Sequence, residues 1–243
     1  MSNLLANWPA PLNIRALTTT RTIGHSLPPY DHNNIALHVG DNEEHVQANR
    51  RALVTSLQLP SDPVWLEQTH SNHCVVVEED AERTADAAIT RCKHTPLAIM
   101  TADCLPIVLC DRNGTEIAAI HAGWRGLVNG IVENTLAKMH SRADTLLAWI
   151  GPAICQACYE VSHEMQQTYI HQYPFTEATF MNNGSQCHAN LPKMAELILN
   201  AEGVTAVFQS AACTFEQKNK FYSYRREAQT GRIATIIWFN NTD

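Results

Sequence analysis

One stretch constrains this chain more than any other: Cys104-Leu-Pro-Ile-Val-Leu-Cys-Asp-Arg-Asn-Gly-Thr-Glu-Ile-Ala-Ala-Ile-His121. It reads as a β-hairpin. Ile107 to Cys110 is a short apolar run, Asp111-Arg-Asn-Gly114 is a turn cluster, and Ile117 to Ile120 is a second apolar run. A turn centred between Arg112 and Asn113 sets Cys104 opposite His121, with Cβ atoms about 4.5–5.5 Å apart. A zinc ion, at about 2.3 Å from sulfur and about 2.0 Å from nitrogen, fits between two such side chains. After His121 the period changes. Trp124, Leu127, Val128, Ile131, Val132, Leu136 and Met139 fall at helical spacing, so a helix is expected to start near Gly123, directly behind the histidine.

The rest of the chain alternates irregularly between strands and helices. Ile14 to Thr20 reads as a strand, followed by a long turn-rich loop from His25 to Gly40. Asp41 or Asn42 can cap a helix over Glu43 to Leu59 that Pro60 and Pro63 end. Strands are expected at Val64–His70, Cys74–Val77, Leu97–Met100, Leu146–Ile150, Val204–Phe208 and Ile233–Phe239, and helices near Ser162–Gln172 and Leu191–Ala201. No repeat or linker interrupts the pattern. The reading is α+β, a single domain over residues 1–243 with mixed sheets rather than a doubly wound parallel one.

Composition narrows the function classes. With 243 residues, 45% hydrophobic and 17% charged, the chain can build a large core. A net charge of -7 leaves no basic surplus for neutralising phosphates, which argues against nucleic acid as a partner. No stretch approaches the roughly 18 apolar residues of a membrane span. Met1 to Pro9 has no basic n-region and no long apolar segment, so no secretory signal is expected. Eight cysteines in such a chain then read as thiols or metal ligands in a reducing, cytoplasmic compartment.

Four constellations carry possible chemistry. The first is Cys104 with His121, joined by His70 at the end of Trp65-Leu-Glu-Gln-Thr. A His/Cys/His set leaves one tetrahedral position open, as in catalytic zinc sites, whereas the plainer reading is a buried thiol and two ordinary histidines. The second is His121-Ala-Gly-Trp-Arg-Gly126, where Gly123 amides at a helix start and Arg125 could seat an anion, or the glycines could serve a tight turn. The third is Phe221-Tyr-Ser-Tyr-Arg-Arg226, in which Ser223, Arg225 and the aromatics suit a purine and a phosphate, or an amphipathic edge strand. The fourth is Cys155-Gln-Ala-Cys158, a weak signal for thiol redox chemistry or zinc.

Taken together, Thr19-Thr-Arg21, Trp65 to His70, Ala85-Asp86-Ala87, Thr101-Ala-Asp-Cys-Leu-Pro106, His121 to Gly126, Gly151-Pro-Ala-Ile154, Tyr159-Glu-Val161 and Phe221 to Arg225 resemble the purine nucleoside phosphorylase/laccase-domain family. That family was once called multicopper polyphenol oxidase and includes the bacterial peptidoglycan editing factor. The motifs span nearly the whole chain. Two departures occur: Ser71 stands where a glycine usually follows the motif histidine, and His32-Asn-Asn34 replaces the usual Ser-Leu-Asn while keeping the asparagine.

The resemblance implies a mixed β-sandwich flanked by helices in α/β/β/α layers, shared with a cysteine hydrolase fold. It implies one zinc ion at His70, Cys104 and His121, with copper the weaker candidate. It also implies phosphorolysis of adenosine, inosine, guanosine and methylthioadenosine, together with adenosine deaminase activity, so the partners are purine nucleosides and phosphate. Zinc lowers the pKa of bound water to about 7, which suits deamination, with Glu67 or Asp103 as candidate proton shuttles. Arg21, Arg225 and the Gly123 amides are candidates for the phosphate, and Asn34 and Arg125 for the substrate. Two rival activities remain: a Cys104/His121 amide hydrolase editing cytoplasmic peptidoglycan precursors, and a copper-dependent polyphenol oxidase. Monomer and homodimer both remain open.

Overall fold

In the computed structural model, which describes residues 3–240, hydrophobic alternation sorts the chain into four layers. Met1 and Ser2 of the N-terminal segment lie outside the described residues. In chain order the strands and helices are β1 (Leu4–Leu5), β2 (Ile14–Thr18), α1 (Glu43–Leu57), β3 (Val64–Trp65), β4 (Cys74–Val76), β5 (Ala87–Thr90), β6 (Leu97–Thr101), β7 (Leu105–Asp111) and β8 (Ile117–Ala122). They continue with α2 (Trp124–Val128), α3 (Ile131–Lys138), β9 (Leu146–Ile150), β10 (Glu160–Val161), α4 (His163–Gln172), β11 (Phe180–Asn183), β12 (Gln186–Ala189), α5 (Leu191–Ala201), β13 (Ala206–Gln209) and β14 (Ile233–Phe239).

Among the described residues, one sheet has the order β1-β2-β14-β6-β3 and a second β13-β9-β7-β8-β5-β4, with a small third sheet β10-β12-β11. Both large sheets mix parallel and antiparallel neighbours. Successive side chains on a strand face opposite ways, and the core follows that period of two. On β7, Val108 and Cys110 face the first sheet, where they meet Leu97, Ile99, Ile237 and Phe239. Leu105, Ile107 and Leu109 face the other way, against Leu127, Ile131, Val132, Met194 and Ile198 from the helices. On β14, Ile236 and Trp238 turn outward to Leu53 and Leu59 at α1. The result is a mixed β-sandwich with α1 on one face and α2–α5 on the other.

Local signals explain the helix limits. Asn42 caps α1 by accepting from the Glu44 and His45 amides, Ser162 caps α4 through the Met165 amide, and Asn190 caps α5 through Lys193. The helix expected over Trp124–Met139 is instead two helices, broken at Gly130 with φ +87°. The edge strand that is one reading of Phe221–Arg226 is not formed, residues 221–223 joining no sheet and Tyr224 to Arg226 making a turn, and β6 runs in the sheet opposite the hairpin rather than into it.

The hairpin exists, but its register differs by two residues. Pro106, not Cys104, lies opposite His121, and Leu105 lies opposite Ala122. The cause is Asp111. Its carboxylate accepts the amides of Asn113 (3.0 Å), Thr115 (2.6 Å) and Glu116 (2.8 Å), which moves the centre of the turn to Asn113-Gly114. Cys104 therefore sits just before β7 and diagonal to His121, at the open end of the sandwich.

Candidate active site

A strand end and two loops converge at that open end. His121 is the penultimate residue of strand β8, Cys104 comes from the bend between β6 and β7, and His70 from the loop after β3. Their ligand atoms all lie within 4.8 Å of one another. Cys104 Sγ is 3.7 Å from His70 Nε2, and the two imidazoles meet edge-to-face with centroids 4.8 Å apart.

Asp86, one residue before β5, organises the cluster. Its carboxylate accepts the amides of Thr69 (3.2 Å), His70 (3.0 Å) and Ser71 (2.6 Å) and the Ser71 hydroxyl (2.7 Å). It also holds His121 Nδ1 at 2.7 Å, while its carbonyl accepts the His121 amide. His70 has φ +61°, a left-handed conformation unfavourable for a side chain with a Cβ. The three amides on Asp86 are what fix it. A second left-handed residue, Asp103 with φ +90°, precedes Cys104 and is fixed likewise: its carboxylate accepts Thr214 Oγ1 (2.6 Å), Ser223 Oγ (2.9 Å) and the Arg225 amide (2.7 Å). Strain of this kind persists only where the surroundings over-determine the backbone.

Close approach also depends on two glycines. A Cβ on Gly123 would lie 2.6 Å from His70 Cδ2 and 3.4 Å from Cys104 Sγ. A Cβ on Gly126 would lie 2.7 Å from the Ser71 carbonyl, so the His70 loop packs directly on α2.

The electrostatics separate Cys104 from the core thiols. Burial, the largest cause, pushes Cys74 up to about 11 and Cys110 up to about 12. Burial also pushes Cys104 up, but hydrogen bonds and charge from His121 and His70 outweigh it and bring the thiol down to about 6. Burial lowers His121, yet hydrogen bonds to Asp86 and Cys104 raise it to about 9. Without a metal the site is thus an Asp86 carboxylate, a His121 imidazolium and a Cys104 thiolate in series.

Two adjoining cavities open on this cluster, sharing His70, Ala102, Cys104, Arg125 and Tyr224. The larger, about 480 Å³, adds His38, Gln68, His121 and Arg232. The smaller, about 180 Å³, adds Trp124, Ile154, Tyr159, Leu191 and Arg225. Burial, then the charges of Arg232 and Arg50, lowers His38 below its ordinary 6.5, so it stands uncharged at neutral pH.

The other candidates are dispersed. Glu67 is exposed, accepts the Thr84 hydroxyl at 3.2 Å and lines neither cavity. Arg21 lies in a separate surface cleft, paired with Asp31 at 3.5 Å. Asn34 is buried and accepts the Ala36 and Arg232 amides, so it holds the start of β14. Gly123 begins the five-residue helix α2, and its open side is filled by the His70 ring. Arg125 lines both cavities, over the Trp124 ring at 4.4 Å. Ser223 is fully buried on Asp103. Arg225 lines the smaller cavity, donates to the Glu160 carbonyl (2.8 Å) and lies 5.2 Å over the Tyr159 ring. Sequence reasoning missed Arg232, His38 and the role of Asp86. Asp86 alone left a trace, as a lone carboxylate before the apolar run Ala87-Ala88-Ile89.

The whole chain has close relatives. The profile of the family described as multi-copper polyphenol oxidoreductase laccase matches residues 15–240. The protein named purine nucleoside phosphorylase YfiH from Escherichia coli is 41% identical over 241 residues, covering 98% of this chain and 99% of that one. A purine nucleoside phosphorylase of Pseudomonas aeruginosa is 40% identical over 242 residues, with 98% of each covered. Among solved structures, a Neisseria meningitidis protein superposes with a TM-score of 0.94 at 38% identity, covering 99% of this chain and 100% of that one. A Bacillus licheniformis protein superposes at 0.86 and 28% identity, with 93% of each covered.

Proposed function

Because this chain belongs to the multi-copper polyphenol oxidoreductase laccase family, in which its relatives bear the name purine nucleoside phosphorylase, we propose that it is a zinc-dependent purine nucleoside phosphorylase with adenosine deaminase activity, working as one domain in the cytoplasm. The observation that carries this reading is the two-lobed cavity at Cys104. Arg125 lines both lobes, Arg232 adds to the larger and Arg225 to the smaller, where Trp124, Tyr159, Ile154 and Leu191 also build an aromatic and apolar wall. A nucleoside and phosphate need both kinds of surface: a face for the base, a fork for the anion, and the sugar between.

His70, Cys104 and His121 fit a zinc ion. Imidazole nitrogen and thiolate are its usual donors, three protein ligands leave a position open, and a His121 ring tied by Nδ1 to Asp86 keeps Nε2 for an ion. Zinc, when bound, supplies Lewis acidity and acidified water. Copper oxidases spread several centres over many histidines; among the described residues one metal-capable cluster contains histidine.

In phosphorolysis a phosphate oxygen bonds to C1′ as the bond from C1′ to the purine nitrogen breaks, and the purine leaves with the electron pair. Guanidinium groups grip phosphate through parallel, charge-assisted hydrogen bonds, the role we give Arg232 and Arg125. The aromatic lobe stacks the purine, and uncharged His38 offers a hydrogen bond without repelling either arginine. Arg232→Ala is expected to raise the KM for phosphate about tenfold to hundredfold, the loss of a charge-assisted hydrogen bond of about 1.5–3 kcal/mol, with zinc content unchanged. Wild-type phosphate kinetics in a folded, zinc-loaded variant would remove Arg232 from the site.

One observation favours a second reading. Asp86, His121 and Cys104 in series also form the relay of a cysteine nucleophile, as an amide hydrolase editing cell-wall precursors would need. Chelation separates the two: removing zinc stops the phosphorylase and leaves the thiolate nucleophile free to act.

A further inference from the structure

A second cluster lies outside the site just described. We propose that Cys155, Cys158 and Cys213 bind a zinc ion of their own, which pins together a loop that walls the smaller cavity and a loop that braces Asp103 beside it. Their three sulfurs lie within 4.8 Å of one another.

The fold delivers them together from distant parts of the chain. Strands β9 and β13 run parallel, with Gln209 opposite Ile150, so the chain leaves both at the same end. Beyond the sheet the pairing continues as an isolated bridge between Ala153 and Cys213. Cys155 then starts a single 3-10 turn over Gln156–Cys158, closed by the Cys158 amide on the Cys155 carbonyl at 3.1 Å. That turn sets the first and last cysteines of the C-x-x-C on one side, and the Cys155 amide donates to Cys213 Sγ at 3.3 Å. Zinc–sulfur bonds of about 2.3 Å put tetrahedral sulfurs about 3.8 Å apart, so closing the site asks for shifts of about 1 Å or less, within the reach of side-chain rotation.

The chemistry selects a soft divalent ion. Thiolates prefer zinc or copper(I). Cysteines bind a metal as thiolates, releasing their protons, and three negative ligands are better offset by a doubly charged ion than by a singly charged one. Cys213 is buried, while Cys155 and Cys158 are half-buried. Cys155 and Cys213 edge a groove of about 400 Å³ beside Asn190, Gln209 and Ser210, where the fourth position opens to water or a polar group.

The site has a consequence for the first one. Next to Cys155, the Ile154 amide donates to the Asp103 carbonyl at 3.1 Å. Next to Cys213, the Thr214 hydroxyl donates to the Asp103 carboxylate at 2.6 Å. Ile154 and Tyr159 line the smaller cavity, and Asp103 adjoins Cys104. An ion at the three cysteines therefore fixes both loops that brace the left-handed turn carrying Cys104.

The test is zinc stoichiometry on the full chain, reduced, stripped with chelator and titrated anaerobically with zinc. Wild type is expected to bind two equivalents, and zinc to shield three thiols besides Cys104 from a thiol reagent. Cys104→Ser should keep only the three-cysteine equivalent, and the double variant Cys155→Ser with Cys158→Ser, on a half-exposed turn, only the other. Cobalt(II) in Cys104→Ser should show thiolate charge-transfer bands about three times as strong as in the double variant. One equivalent in wild type, or a second that survives in the double variant, overturns the proposal. So does a second equivalent that forms with copper(I) but not zinc, or a disulfide among the three cysteines that persists in reduced glutathione.

Discussion

Gly123→Ala is a sharp test of how the cluster is assembled. The Gly123 backbone is extended, φ -62° and ψ 157°, so alanine fits it without strain. Removing a glycine from such a position stabilises a fold by about 0.4–1 kcal/mol through the unfolded chain. The new methyl, however, would sit 2.6 Å from His70 Cδ2, inside van der Waals contact, with Cys104 Sγ and His70 Nε2 each at 3.4 Å. The His70 ring must therefore withdraw by about 1 Å, against a zinc–ligand tolerance of about 0.2 Å. The loop cannot follow cheaply, because Asp86 holds the amides of Thr69, His70 and Ser71. Disturbing ligand support of this kind typically costs about 10–100-fold in metal affinity. The variant should thus melt at or above the wild-type temperature when metal-free, yet lose zinc to a competing chelator at about 10–100-fold lower chelator strength. Wild-type zinc affinity in a well-folded Gly123→Ala protein would refute the argument that this glycine admits His70 to the site.

Two further outcomes follow from the electrostatics. In zinc-free protein Cys104 should react with iodoacetamide with a midpoint near its depressed value of about 6, and zinc should block the reaction; a midpoint near the ordinary thiol value of 9.0 would contradict the thiolate–imidazolium pair. Burial pushes Glu116 up, but amides of His140 and Ser141 and the Arg91 guanidinium (2.7 Å) hold it below its ordinary 4.5. A depressed carboxylate stabilises the fold above its ordinary value and loses that contribution as the pH falls through the lowered one. Glu116→Gln should therefore cost about 1.5–3 kcal/mol at neutral pH, and its deficit in denaturant melts should shrink below pH 4; a deficit constant from pH 7 to pH 3 would contradict this.

Local signals were readable in the sequence wherever one residue acts on its neighbours. Of the two caps offered for α1, Asn42 is the one used, and Gly203 follows the last turn of α5. His70, Cys104 and His121 were legible as polar residues at the borders of apolar runs, although β3 itself stops at Trp65, five residues before His70. The hairpin register was not, since it depends on Asp111 gathering three amides rather than on the turn residues alone. The irregular course of Phe221–Arg226 came from tertiary demands, with Ser223 and the Arg225 amide docking on Asp103, more than a hundred residues away. Arg232 was invisible for a similar reason: it flanks β14, a strand that reads as pure core. Cys155 and Cys213 meet only because β9 and β13 pair in parallel, a contact that no local pattern announces.

Phosphate as a substrate at the Cys104 cavity is tested most directly by product analysis of adenosine incubated with zinc-loaded protein at zero and at saturating phosphate. Adenine and ribose 1-phosphate are expected when phosphate is present, and inosine as the main product when it is absent. Identical products under both conditions would contradict it.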